Sequence, residues 1–143
     1  MEESIKYLKE TFALPDVDIK TYSPLVLAYI GDGIYELIIR TILVGQGNRQ
    51  ADALHKKASR YVKASAQAEL IFAVRDELTE EETQVFKRGR NARTSTMAKH
   101  ATVHDYRHAT GFEALMGYLY LTGQTARMID LIKLGMDKTG GTP

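Results

Sequence analysis

The segment LAYIGDGIYE, residues 27–36, places two carboxylates in an otherwise apolar run. Asp32 and Glu36 lie four residues apart, so on a helix they share a face with Ala28. Gly31 and Gly33 flank Asp32, and glycine inside a helix costs roughly 1 kcal/mol against alanine. Close approach by another backbone or by a bulky ligand would explain them. Further along, Glu113 stands in TGFEALMGYLY, again among apolar neighbours with a glycine four residues on. Both apolar patterns predict buried acids, which are costly unless something offsets the burial. If the two helices pack together, Asp32 and Glu113 converge, and one must protonate unless a cation intervenes. Magnesium suits the gap, since it binds oxygen and commonly takes one or two protein carboxylates while keeping several waters. The plainer alternative pairs either acid with Arg40 or Arg107, or turns it to solvent.

A second constellation is His104-Asp105, with His55 upstream and Asp130 downstream. It is the pattern of an HD-type metal phosphohydrolase, because imidazole and carboxylate together hold transition metals. A two-residue motif is weak, and it leaves Asp32 and Glu36 unexplained. His100, His104 and His108, at intervals of four, also fit one RNA-facing or solvated helix side.

The basic residues are clustered. Residues 48–65 hold Arg49, Lys56, Lys57, Arg60 and Lys63 against Asp52 alone, and residues 84–108 hold six bases against Asp105. Between them runs an acidic stretch from Asp76 to Glu82. Clusters of this kind suit a phosphate-binding surface, although solvated helix faces look the same in sequence. For contact with phosphates the expected residues are Lys87, Arg88, Arg90, Asn91 and Arg93, with Lys56, Lys57, Arg60 and Lys63 as a second tier.

Helical periodicity dominates the elements that would carry these groups, and the reading is all-α. A short helix is predicted over residues 2–12, stopping before Pro15. Ser23 and Pro24 form an N-cap and first-turn pair, opening a helix to about Val44 that Gly45 and Gly47 end. Asn48 is expected to cap the next helix, with a break between Ser65 and Glu69. Thr79 and Glu82 make a capping box. Residues 89–101 read as a basic loop, Thr102 with Asp105 starts a helix to Gly123, and a last helix covers about Thr125 to Met136 before a fraying tail.

At 143 residues, 44% hydrophobic and 26% charged, one soluble domain is expected across residues 1–143, with its core at about 20–138 and a tail at 139–143. No cysteine is present, so disulfides and thiolate chemistry are excluded. The N-terminal residues lack the pattern of a signal peptide, and the longest apolar stretch carries Asp32, Glu36 and Arg40. No membrane span and a cytoplasmic location are therefore expected.

LAYIGDGIYE resembles the signature helix of the ribonuclease III family, and FEALMGYLYL resembles that family's second acid-bearing segment. LHKKASRYVKASAQAELIF and KRGRNAR are similar to the short Mini-ribonuclease III branch, which has the catalytic domain and no double-stranded-RNA-binding domain. The likeness covers about residues 20–135, in order and with similar spacing. It implies the helical ribonuclease III endonuclease fold in a homodimer. It also implies a magnesium-dependent endoribonuclease that cuts both strands of duplex RNA and leaves 5′-phosphate and 3′-hydroxyl ends; manganese would substitute. Asp32 and Glu113 match the two family acids and are the implied catalytic metal ligands. Ala28 and Thr110 stand where ordinary ribonuclease III has two more acids. Glu36 is the candidate for an outer acid orienting a metal-bound water, or else it pairs with Arg40. The Mini branch implies a stem of the 23S ribosomal RNA precursor as substrate, with a ribosomal protein on that precursor as a possible aid. A duplex-RNA-binding module without catalysis is the alternative that Ala28 and Thr110 keep open. A homodimer would also bury apolar side chains beyond the needs of one core, for which Ile38, Ile42, Met116, Leu119 and Tyr120 are the expected set.

Overall fold

The computed structural model describes residues 1–93 and 102–143, and every regular element among them is helical. Seven α-helices follow in order: α1 (Glu2–Thr11), α2 (Pro24–Gln46), α3 (Ala51–Val62), α4 (Ala64–Val74), α5 (Glu80–Asn91), α6 (Val103–Leu121) and α7 (Thr125–Thr139). Short 3-10 turns at Ile19–Thr21 and Arg75–Glu77 complete the order. Among the described residues no helix is long and apolar enough to cross a membrane.

Helix starts fall where side chains can satisfy free N–H groups. The Ser23 hydroxyl accepts from the Val26 N–H ahead of Pro24, and the Thr102 hydroxyl accepts from the Asp105 N–H. At α5 the capping box is complete, with Thr79 and Glu82 each bonding the other's backbone N–H. The expected cap at Asn48 does not form: α3 begins after Gln50, which contributes no side-chain bond. The break between α3 and α4 comes at Lys63, slightly before the position expected from Ser65 and Glu69. Gly89, Arg90 and Asn91 belong to α5 rather than to a loop, since the apolar side of the helix, Phe86 and Gly89, still packs there. Residues 94–101, the rest of that expected loop, and His100 with them, lie outside the described residues. The last helix runs on to Thr139, past the expected end at Met136.

Helix α6 is the axis of the molecule. From Ala109 to Leu119 every residue except Glu113 is buried, because α2, α4, α5 and α7 all pack on it. A helix surrounded in this way has no polar stripe to show solvent. Met116 and Leu119 are wholly buried in this core, and Ile38 and Tyr120 pack at its edge. Met116 and Leu119 are therefore not the surplus expected for a second copy, whereas Ile38, Ile42 and Tyr120 stay partly open. Val26, Tyr29, Leu37 and Val44, on the far side of α2, are among the exposed apolar side chains.

Two glycines set how closely α2 and α6 approach. A Cβ on Gly31 would stand 1.7 Å from the Glu113 carbonyl oxygen, and one on Gly117 would stand 2.0 Å from the Leu27 carbonyl oxygen. The backbones touch at both points, so only glycine fits. Gly33 has nothing within 4 Å of such a Cβ, so close approach does not explain it.

Candidate active site

The α2–α6 crossing brings Asp32 and Glu113 together. Gly31, next to Asp32, lies against the backbone of Glu113 itself, so the two carboxylates leave their helices from neighbouring points. Asp32 is exposed, contrary to the burial expected from its apolar surroundings, even though it shares a side of α2 with the buried Ala28. Glu113 is half-buried, the one gap in the otherwise enclosed run of α6.

Glu113 responds strongly to this setting. Its pKa rises from the ordinary 4.5 to about 8, first because burial penalises the charged form. The neighbouring Asp32 raises it further through its charge and through a hydrogen bond to the protonated acid. Gln67 opposes both with an N–H directed at the carboxylate, 3.5 Å from Oε2. A half-buried carboxyl pushed towards its protonated form beside a second acid marks a candidate site for a cation.

The donor set is two carboxylates. Among the described residues, no group of three or more His, Asp or Glu side chains converges to hold an ion. An exposed acid beside a half-buried one suits a hard divalent ion that fills most of its shell with water and phosphate oxygens, and on that chemistry the residues fit. Ala28 is buried in the core, and the Thr110 hydroxyl is spent on the Tyr106 carbonyl at 3.0 Å. Neither supplies a further ligand. Glu36 bonds Arg40 at 2.9 Å, which is the ion-pair alternative for that residue.

The HD-type ligand set does not assemble. His104 and Asp105 are neighbours 3.5 Å apart on an exposed surface, while His55 is on α3 and Asp130 on α7, both exposed. His104 instead stacks on His108, with ring centroids 4.0 Å apart, so the two histidines do share one side of α6.

The candidate phosphate-binding residues are mostly open to solvent. Lys87, Arg88, Asn91 and Arg93 are exposed at the end of α5, and Arg90 is half-covered beside the Phe86 ring. On α3 and at its end, Lys56, Arg60 and Lys63 are exposed and Lys57 is partly covered. Lys63 marks the α3–α4 break, four residues before the Gln67 that touches Glu113.

Sequence reasoning did not single out Gln67. Its signal was a polar residue on the buried 3.6-residue stripe of α4, in register with Leu70, Ile71 and Val74.

Comparison with known proteins gives one consistent answer. Residues 25–124 match the model of the Ribonuclease III domain. The chain is 46% identical over 137 residues to Mini-ribonuclease 3 of Thermoanaerobacter sp. (strain X514), covering 95% of this chain and 96% of that one. It is 50% identical to Mini-ribonuclease 3 of Enterococcus faecalis, covering 87% and 96% of the two chains. Among solved structures, a Fusobacterium nucleatum protein superposes with a TM-score of 0.77 at 31% identity, covering 85% of this chain and 98% of that one.

Proposed function

This chain belongs to the Mini-ribonuclease III branch of the ribonuclease III family, and from that premise we propose that Asp32 and Glu113 hold the divalent ion of its cleavage centre. It is a double-strand-specific endoribonuclease, and its family generally uses a divalent metal ion. The observation that carries the reading is the meeting of two acids from α2 and α6, at the crossing where Gly31 lies against the Glu113 backbone.

Magnesium is the ion we assign to this pair, with manganese able to replace it. When bound, such an ion polarises the scissile phosphate and lowers the pKa of a water that attacks in line. The chain's own contribution is positioning and charge. Asp32 offers its carboxylate from the exposed side, and Glu113 gives up its proton once a cation offsets the neighbouring charge. Lys87, Arg88, Arg90, Asn91 and Arg93 hold the duplex by its phosphates, with Lys56, Lys57, Arg60 and Lys63 behind them. A-form RNA presents a shallow minor groove of hydroxyls, so this contact reads shape more than sequence.

One centre cuts one strand, so cutting both strands calls for two centres. The apolar far side of α2 supplies a surface for a second copy, since Val26, Gly33, Leu37 and Val44 recur at helical spacing on one face. The substrate we assign is a stem of the 23S ribosomal RNA precursor in the cytoplasm, cut to 5′-phosphate and 3′-hydroxyl ends, where a ribosomal protein on the precursor can assist. Residues 1–143 act in this reading as one catalytic domain.

The deciding experiment incubates an end-labelled RNA duplex with magnesium and compares the wild type with Asp32→Asn and Glu113→Gln. The wild type is expected to cut both strands, and each variant to bind the duplex while cleaving at least about a thousandfold more slowly, a loss of roughly 4 kcal/mol in transition-state stabilisation. Near-normal cleavage by either variant would remove that acid from the centre.

A further inference from the structure

Gln67 is the polar member of an apolar stripe. It lies in register with Leu70, Ile71 and Val74 on α4 and, at 2% exposure, is shut away from solvent as they are. Its amide nitrogen has two hydrogens and two acceptors, the Val62 carbonyl at 2.8 Å and Glu113 Oε2 at 3.5 Å. The shorter bond fixes which way the amide faces, because turning it over would set two carbonyl oxygens against each other. The amide oxygen Oε1 is then left without a donor among the described residues.

A buried acceptor without a donor is costly, and an apolar side chain of the same length would avoid that cost. The bond to Val62 ties the end of α3 to α4, but it uses only the nitrogen. It leaves the second amide hydrogen, which is turned to Glu113. An N–H directed at a carboxylate fixes its rotation, as the partners of metal ligands do elsewhere.

We propose that Gln67 is a positioning residue of the metal centre, its N–H setting the Glu113 carboxylate for ligation. The inference rests on the reading of Asp32 and Glu113 as a metal-binding pair.

The test is a manganese titration of the RNA-free protein, followed by electron paramagnetic resonance of the unbound ion. It compares wild type, Gln67→Met and Asp32→Asn, with thermal melts of each. Gln67→Met is expected to raise the manganese Kd about tenfold or more, and to raise the magnesium concentration for half-maximal cleavage in parallel. A folded Gln67→Met with wild-type manganese affinity would overturn the inference and leave only the tie between α3 and α4. Equal manganese binding by wild type and Asp32→Asn would overturn the metal-pair reading, and this inference with it. If Gln67→Met does not fold, Gln67→Asn keeps the amide but draws it back from Glu113. Weakened manganese binding there supports the role, and wild-type binding refutes it.

Discussion

Glu113 carries opposite demands in one side chain. Its surroundings favour the protonated acid, whereas ligation needs the carboxylate, so stability and metal binding pull on the same proton. The consequence for pH has a definite sign. The folded pKa is about 8 and the ordinary value 4.5, so between them the unfolded chain releases a proton that the native protein keeps. This contribution to stability is complete below the ordinary value and is lost as pH rises towards 8. In the presence of a chelator, the Tm of the wild type is expected to fall between pH 5 and pH 8 by more than that of Glu113→Gln. Thermal melts across that range check it, and magnesium added at pH 8 should restore part of the loss. The two acids were legible in the sequence because charge stood out against apolar helices. The exposure of Asp32 was not, since periodicity cannot say which side of α2 the rest of the chain leaves bare. Gln67 escaped notice because a neutral polar residue in an apolar run raises no charge signal.

Among the helices, legibility followed the caps. Ser23, Thr79 with Glu82, and Thr102 announce their helices because each has an oxygen at the place where free N–H groups need one. Asn48 carried the same chemistry and misled, since α3 starts after Gln50 with no side-chain cap. Glu82 also does more than cap. Almost wholly buried, it receives the Arg127 guanidinium at 2.9 and 3.0 Å, and Arg127 bonds the Glu77 carbonyl at 2.8 Å. This fork fixes α5 to α7 and, first among its causes, holds the Glu82 carboxyl below its ordinary pKa. Arg127→Met would leave a buried carboxylate unpaired, and chemical denaturation is expected to show a loss of about 3 kcal/mol at neutral pH. The glycines of α2 divide in the same way. Gly31→Ala forces a methyl group into the Glu113 carbonyl, at a cost of at least about 3 kcal/mol. Gly33→Ala meets nothing and should gain up to about 1 kcal/mol in helix propensity, so the two melts should move in opposite directions.

At the scale of the whole molecule, the neighbouring helices enclose α6 from Ala109 to Leu119 except at Glu113, while α2 keeps apolar side chains exposed. Sequence pattern could count the apolar residues but could not say which the chain's own packing would consume. Met116 and Leu119 are consumed, whereas Leu37, 52% exposed, and Val44, 62% exposed, are not. If this face joins two copies, Leu37→Glu should turn a dimer into a monomer in light scattering and lower duplex cleavage at dilute enzyme, while the Tm of the isolated chain moves little. A wild type that is already monomeric would end that reading.

The contact of Gly31 with the backbone of Glu113 joins two residues far apart along the chain. Drawing them together closes a long loop, whose entropy must be met before the contact repays it. Until that closure, one acid travels with α2 and the other with α6, and neither helix alone holds the pair. On the proposed reading, a nascent or partly unfolded chain would not yet cut RNA, because the acid pair and the fold are completed by the same contact.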